Sequence, residues 1–324
     1  MRHIRLAALL LSMLLALVAC GSGGETAPSS SAAADGVTVS HQYGETRIPA
    51  HPARVVTLSH QWSDSLVRLG VPITAEFVQQ GYSGKDDKGF EWTPQHTSEI
   101  VPVNSDKGVP DSEQVLKYRP DVILAGYLPN REAYDALSAI APTIPVMTPG
   151  STLDSWQDVL ETAGKIFGKE SLAADAKRDV DAQIAAVHAK YPAAEGKTFA
   201  FGQLTAQRTF GIVTSETDPA AKLLAQFGLK VSPAVKRLSD NGSRVIVSPE
   251  RIDVLRADLL VFWAIVGDPG TLRDIPGWTA LPAVTAGTTV FLANDTASAF
   301  SEPTVYSVPW ATKKLEPALA RLRA

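Results

Sequence analysis

The chain of 324 residues holds one cysteine, Cys20, so no disulfide can form within it. Net charge is also small: 30 basic against 34 acidic side chains give −4 at pH 7. That balance gives no reason to expect nucleic acid or an acidic membrane surface as a partner. Catalytic signatures are missing too. There is no G-x-S-x-G elbow, no H-E-x-x-H pair, no phosphate-binding P-loop and no G-x-G-x-x-G after a strand. Ser59, His60 and Asp64 are neighbours in sequence, but a triad is a spatial arrangement that adjacency does not supply. The chain therefore reads as a binding protein and not an enzyme. Histidines are few and lopsided: His41, His51, His60 and His96 precede the middle of the chain, and His188 alone follows it. Free zinc or manganese needs several nitrogen or oxygen donors. His60, just past the first strand, could supply one, but a metal site shared between halves is not expected.

What is present begins with a leader. Arg2 and Arg5 precede an apolar run over residues 6–19, shorter than the roughly 20 residues of a membrane span. The run ends Leu17-Val18-Ala19-Cys20, which resembles the bacterial lipobox, where cleavage leaves the cysteine first and lipid-modified. Residues 1–19 are then a signal peptide and Cys20 a lipid anchor; a plain signal peptide or an uncleaved anchor is the other reading. Loss of the two arginines takes the net charge from −4 to −6. Residues 20–36 are rich in Gly, Ser and Ala and form a tether with nothing to bury. The folded part is expected outside the cytoplasmic membrane.

The remainder, with 45% hydrophobic and 20% charged residues over the whole chain, can fill about two cores. Its organiser is the stretch 154–191, read as a helix, a break at Gly168 and a longer helix. In the second part Leu172, Ala176, Val180, Ile184, Val187 and Tyr191 recur at helical steps. Before it, over residues 37–153, come a hairpin at 37–48, a strand at 55–58, a loop at 59–63, a helix at 64–69 and a strand at 71–77. A long polar excursion at 79–106 follows, then a helix at 112–118, a strand at 122–125, a helix at 131–140 and a strand near Val146. After it, over residues 192–324, strands are expected at 198–202, 259–263 and 289–292, helices at 218–227 and 249–255, and a closing helix at 308–322.

The two halves match. LVRLGV from Leu66 parallels LAQFGL from Leu224, Ser112-Glu113-Gln114-Val115 parallels Pro249-Glu250-Arg251-Ile252, and eight residues after each glutamate an aspartate, Asp121 or Asp258, opens a strand. Apolar strands alternating with helices argue for parallel sheets covered on both faces. The fold class expected is α/β: two Rossmann-like lobes joined by a long rigid helix.

PARVVTLS from Pro52, SEQVLKYRPDVILA from Ser112 and SPERI from Ser248 resemble the iron–siderophore substrate-binding proteins of ABC importers, the helix-strutted type of periplasmic binding protein. The resemblance implies a monomeric receptor that captures a ferric siderophore between its lobes and passes it to a permease; heme or cobalamin is the alternative ligand. It implies no cofactor and no inner-sphere metal ligand, because the siderophore already occupies the iron. One glutamate on each lobe docks on the permease in that family, and these are Glu113 and Glu250 here. A bulky chelate calls for aromatic walls and fixed cations. Candidate walls are Trp62, Trp92, Tyr127, Trp263 and Phe300, and candidate cations are Arg208 and Lys107. Trp92, Lys107, Tyr127 and Arg208 fall at or near positions where hydroxamate-binding members carry Trp, Arg, Tyr and Arg. Lys107 departs from that pattern, being a point charge without the planar fork. Arg208 could instead pair with Glu216. Trp156, Trp278 and Trp310 read as structural.

Overall fold

The computed structural model describes residues 36–79, 89–103, 109–238, 243–268 and 270–323. Cys20, Lys107, the leader and most of the tether lie outside the described residues. A hairpin comes first, β1 (Val37–His41) and β2 (Gly44–Ile48). Five parallel strands follow: β3 (Val55–Thr57), β4 (Ala75–Gln79), β5 (Glu99–Val103), β6 (Val122–Gly126) and β7 (Thr143–Pro145), in spatial order β5-β4-β3-β6-β7. Helices α1 (His60–Leu69), α2 (Ser112–Leu116) and α3 (Arg131–Ser138) lie between them in the chain. The second sheet contains β8 (Thr198–Leu204), β9 (Phe210–Val213), β10 (Lys230–Val231), β11 (Arg244–Val247), β12 (Leu259–Ala264) and β13 (Thr289–Phe291). Its order is β11-β9-β8-β12-β13, with β10 beside β8. Here β9 runs antiparallel to both of its neighbours, whereas β8, β12 and β13 are parallel.

The pleat explains why the first sheet is apolar on both faces. Val55, Val122 and Leu124 enter one cluster of buried side chains, and the alternate residues Val56, Ile123 and Ala125 enter another. The first cluster continues through Trp62 and Trp156 to Phe199 and Phe300, so it crosses from one sheet's territory into the other's.

Two helices make the connection. Ser155 caps α4 (Trp156–Phe167), its hydroxyl accepting from the Asp158 amide at 3.1 Å. Gly168 ends that helix at φ 63°, a left-handed value that glycine adopts without a Cβ clash. The following α5 (Glu170–Lys190) has 21 residues, a length of about 32 Å. α4 packs on α1 of the first lobe, and α5 packs on α4 and on the C-terminal helix Ser307–Leu319. The buried stripe of α5 is Ala173, Ala176, Val180 and Ile184. Leu172, expected in that stripe, is exposed, and Ala173 stands in its place, because a close approach between α4 and α5 needs the small side chain: a Cβ on Gly164 would lie 2.9 Å from that of Ala173.

Other boundaries also differ from expectation. α1 begins at His60, inside the expected loop, because the Ser59 hydroxyl caps it by accepting from the Gln61 amide at 3.3 Å. The polar excursion contains β5, an edge strand with only Val103 buried, so its five residues do not stand out in an apolar-run search. The sequence pattern predicts none of β9, β10 and β11.

The internal repeat holds at the level of single carboxylates. Asp121, entering β6, accepts from the amides of Ala53 and Arg54 at 3.0 and 2.8 Å, where β3 begins. Asp258, entering β12, accepts from the Thr198 amide and hydroxyl, both at 2.7 Å, where β8 begins. Each clamps the start of its sheet's central strand. The Arg54 amide, with the Ala53 amide and the Arg54 guanidinium, holds the Asp121 carboxyl below the ordinary range. Burial works against the Asp258 charge, but the Thr198 donors outweigh it and lower that carboxyl as well.

Candidate functional site

In an open parallel sheet, loops at the carboxyl ends of the strands diverge where strand order reverses, and a crevice opens there. In the first sheet β4 and β5 lie on one side of β3, and β6 and β7 on the other. The reversal therefore falls between the chain leaving β3 at Ser59-His60 and the chain leaving β6 at Gly126-Tyr127. Gly126 has φ 67°, and a Cβ there would stand 3.1 Å from the Ser59 Cβ. Only glycine lets the two loops approach so closely. The turn delivers Tyr127 to the surface, 56% exposed. The second sheet repeats the geometry. The chain leaving β8 turns at Thr205–Thr209, where the Arg208 backbone sits at φ 58° with its side chain exposed. The chain leaving β12 presents Ile265 and Val266, the latter 64% exposed. Large exposed apolar side chains thus stand at matching strand ends of both sheets.

Beside the first crevice lies a cavity of about 410 Å³, lined among others by Ser59, His60, Asp64, Glu76, Phe90 and His96. It opens at the carboxyl ends of β3 and β4, under the chain that returns through β5. Phe90 stacks on Trp92, with ring centroids 4.4 Å apart and planes at 7°, and meets His60 edge-on at 5.0 Å. Asp64 is fully buried. Its Oδ1 accepts from the Thr93 hydroxyl at 2.6 Å and its Oδ2 from the Thr304 hydroxyl. Burial raises its pKa, and the two hydroxyls only partly offset that. Glu76 is also buried, and its Oε1 takes bonds from His96 Nε2 at 2.5 Å and from the Ser98 hydroxyl. Burial opposes a charge on His96, but the Pro94 carbonyl and Glu76 prevail and raise its pKa.

The candidate walls divide. Tyr127 stands at a strand end, open to solvent. Trp92 is largely buried and backs Phe90, so its indole reaches the cavity only through that ring. Trp62 is 1% exposed on the inner face of α1, and Phe300 is fully buried 5.9 Å from the Phe201 ring. Trp263 is 4% exposed and packs on Phe201 at 5.3 Å. These three are corrected to core positions, since an enclosed ring has no face to offer a ligand. The alternative reading of Arg208 as a partner of Glu216 is not met: Glu216 pairs with Lys236 at 2.9 Å. Glu113 and Glu250 are both exposed, each in the first turn of a short helix. Leu116, one turn after Glu113, is 55% exposed, and Ile246, shortly before Glu250, is 68% exposed. Trp278 is fully buried, and Trp310 donates from Nε1 to Glu91 at 2.5 Å.

Sequence reasoning passed over Glu76 and His96. One signal was available: Glu76 is an acid inside the apolar run Ile73–Val78, and a buried carboxylate in a strand requires a partner. Nothing in the sequence pointed to His96 as that partner. Among the described residues no group of three or more His, Cys, Asp or Glu is placed to hold a metal ion.

The family model described as "Periplasmic binding protein" matches residues 81–296. A probable siderophore-binding lipoprotein, YfiY of Bacillus subtilis, is 24% identical over 273 residues, covering 82% of this chain and 81% of the relative. A solved periplasmic solute binding protein from Mycobacterium smegmatis superposes with a TM-score of 0.73 at 25% identity, covering 89% of this chain and 98% of its own. PiaA of Streptococcus pneumoniae, solved in complex with ferrichrome, gives a TM-score of 0.69 at 24% identity over 88% and 99%. The two-sheet α/β architecture is the one these structures share.

Proposed function

Because the chain belongs to this periplasmic binding protein family, we propose that it is the substrate-binding component of an ABC importer and that its substrate is a ferric siderophore. The observation that carries this reading is the paired presentation of Tyr127 on one lobe and of Arg208, Ile265 and Val266 on the other, all at the carboxyl ends of central strands. Apolar surface with few polar groups suits a chelate that is greasy outside and polar at its ligating oxygens. Relatives whose names carry siderophore or ferric-hydroxamate binding support the same ligand class. The iron arrives already coordinated, so the protein needs neither cofactor nor metal ligands, and nothing is turned over.

Delivery follows from Glu113 and Glu250. Equivalent exposed carboxylates, each with an exposed aliphatic neighbour, form a two-point contact for cationic side chains of a permease. The receptor is held at the outer face of the membrane by lipid on Cys20 and acts as a monomer. Among the described residues no helix is long and apolar enough to cross a membrane.

Tryptophan fluorescence of the purified protein, titrated with ferric hydroxamates, ferric catecholates, ferric citrate, heme and cobalamin, tests the proposal. Saturable one-to-one quenching by a ferric chelate is expected. Binding of heme or cobalamin alone, or of none of the panel, would overturn it.

A further inference from the structure

The cavity beside the first crevice is more polar than an apolar chelate surface requires. Its ionisable lining, among the described residues, is Asp64, Glu76, His60 and His96. Two of these are committed to the fold. Asp64 gives one oxygen to Thr93 and the other to Thr304. His60 turns Nε2 toward the Glu302 backbone oxygen at 3.0 Å. Glu76 is arranged differently. Among the described residues, the two donors that reach it, His96 Nε2 and the Ser98 hydroxyl, converge on the single oxygen Oε1. The carboxylate is thereby held in one orientation by the chain leading into β5, no described residue bonds its Oε2, and Glu76 lines the cavity of about 410 Å³.

Resting on the siderophore reading above, we propose that Oε2 of Glu76 receives a positively charged donor, a protonated amine carried on one arm of the ferric chelate. A carboxylate so little exposed gains more from an ammonium than a surface carboxylate would, because water competes less for both. The cavity has the volume of a small-ligand site, about 300–1,000 Å³, which suits an arm of the chelate. Phe90, backed by Trp92, supplies an apolar wall for the methylenes of that arm. The substrate class is then a ferric chelate bearing a free amine, in preference to neutral or polyanionic chelates.

The test compares ferrioxamine B, which carries a terminal ammonium, with its N-acetylated form, which has the same iron centre and no charge on the arm. Wild-type protein should bind the amine about ten- to hundredfold more tightly. Glu76→Gln, with folding checked by its melting transition, should bring the two chelates to the same affinity. Equal binding of both by the wild type overturns the proposal without any variant. So does a preference that persists in a folded Glu76→Gln. Binding of ferric enterobactin or ferric citrate in place of either hydroxamate overturns this inference and leaves the siderophore reading standing. Binding of no ferric chelate at all overturns both.

Discussion

Asp64 and Thr304, 240 residues apart in sequence, meet in a fully buried hydrogen bond that ties α1 of the first lobe to the segment leading into the C-terminal helix. Around them Gln61 Nε2 donates to the Pro303 carbonyl at 2.8 Å and to the Asp154 carbonyl at 3.2 Å. The lobes are thus joined at a second place besides the α4–α5 connection, directly behind the cavity. Tilting one lobe against the other must work around this polar weld.

The weld has a pH signature. Burial raises the Asp64 pKa above its ordinary value of 3.8. A carboxyl raised in the folded state stabilises the fold below the unfolded pKa, and that contribution is lost as pH rises through the folded value. Asp64→Asn cannot ionise, so its stability relative to wild type should improve as pH is raised from about 4 toward neutrality. Urea denaturation of both proteins across that range measures the difference; a flat difference, or one of opposite slope, rejects the account. Thr304→Val, which removes the donor, should cost about 1–3 kcal/mol.

His96 should titrate above its ordinary value of 6.5, because the Pro94 carbonyl and Glu76 hold its proton against the effect of burial. The stabilisation it contributes is therefore present below pH 6.5 and fades as pH passes the folded value. Imidazole resonances followed by NMR give the midpoint directly. In Glu76→Gln the midpoint should fall; an unchanged midpoint would mean that Glu76 is not the partner that matters.

Tyr127→Ala and Arg208→Ala should each weaken ligand binding about tenfold or more. Both side chains are exposed, so stability should stay within about 0.5 kcal/mol of wild type. Trp62→Phe should do the reverse, lowering stability in the core while leaving a folded protein with near-normal affinity. Calorimetric titration and thermal melts of the three variants separate these outcomes.

Glu113→Ala combined with Glu250→Ala should abolish uptake of the labelled ferric chelate by cells while the purified protein binds it as before. Each single variant should be impaired less than the pair, since one contact of two remains. Normal uptake by the double variant would place docking elsewhere.

Much of this molecule could be read along the chain. The duplicated plan, the strand-opening aspartates Asp121 and Asp258 and the break at Gly168 all depend on local signals. Runs of apolar residues, glycine stops and acids beside strand starts act over a few residues, and their consequences are settled by backbone sterics and hydrogen bonding. Tertiary structure alone decided which aromatic rings were enclosed: Trp62, Trp263 and Phe300 are as plausible at a pocket wall as Tyr127 until the packing of α1, β12 and the Phe201 ring is known. It alone brought His96 to Glu76 and Thr304 to Asp64. Burial and long-range polar pairing depend on what arrives from distant parts of the chain, and a side chain's type records only that it could be buried or paired, not by what.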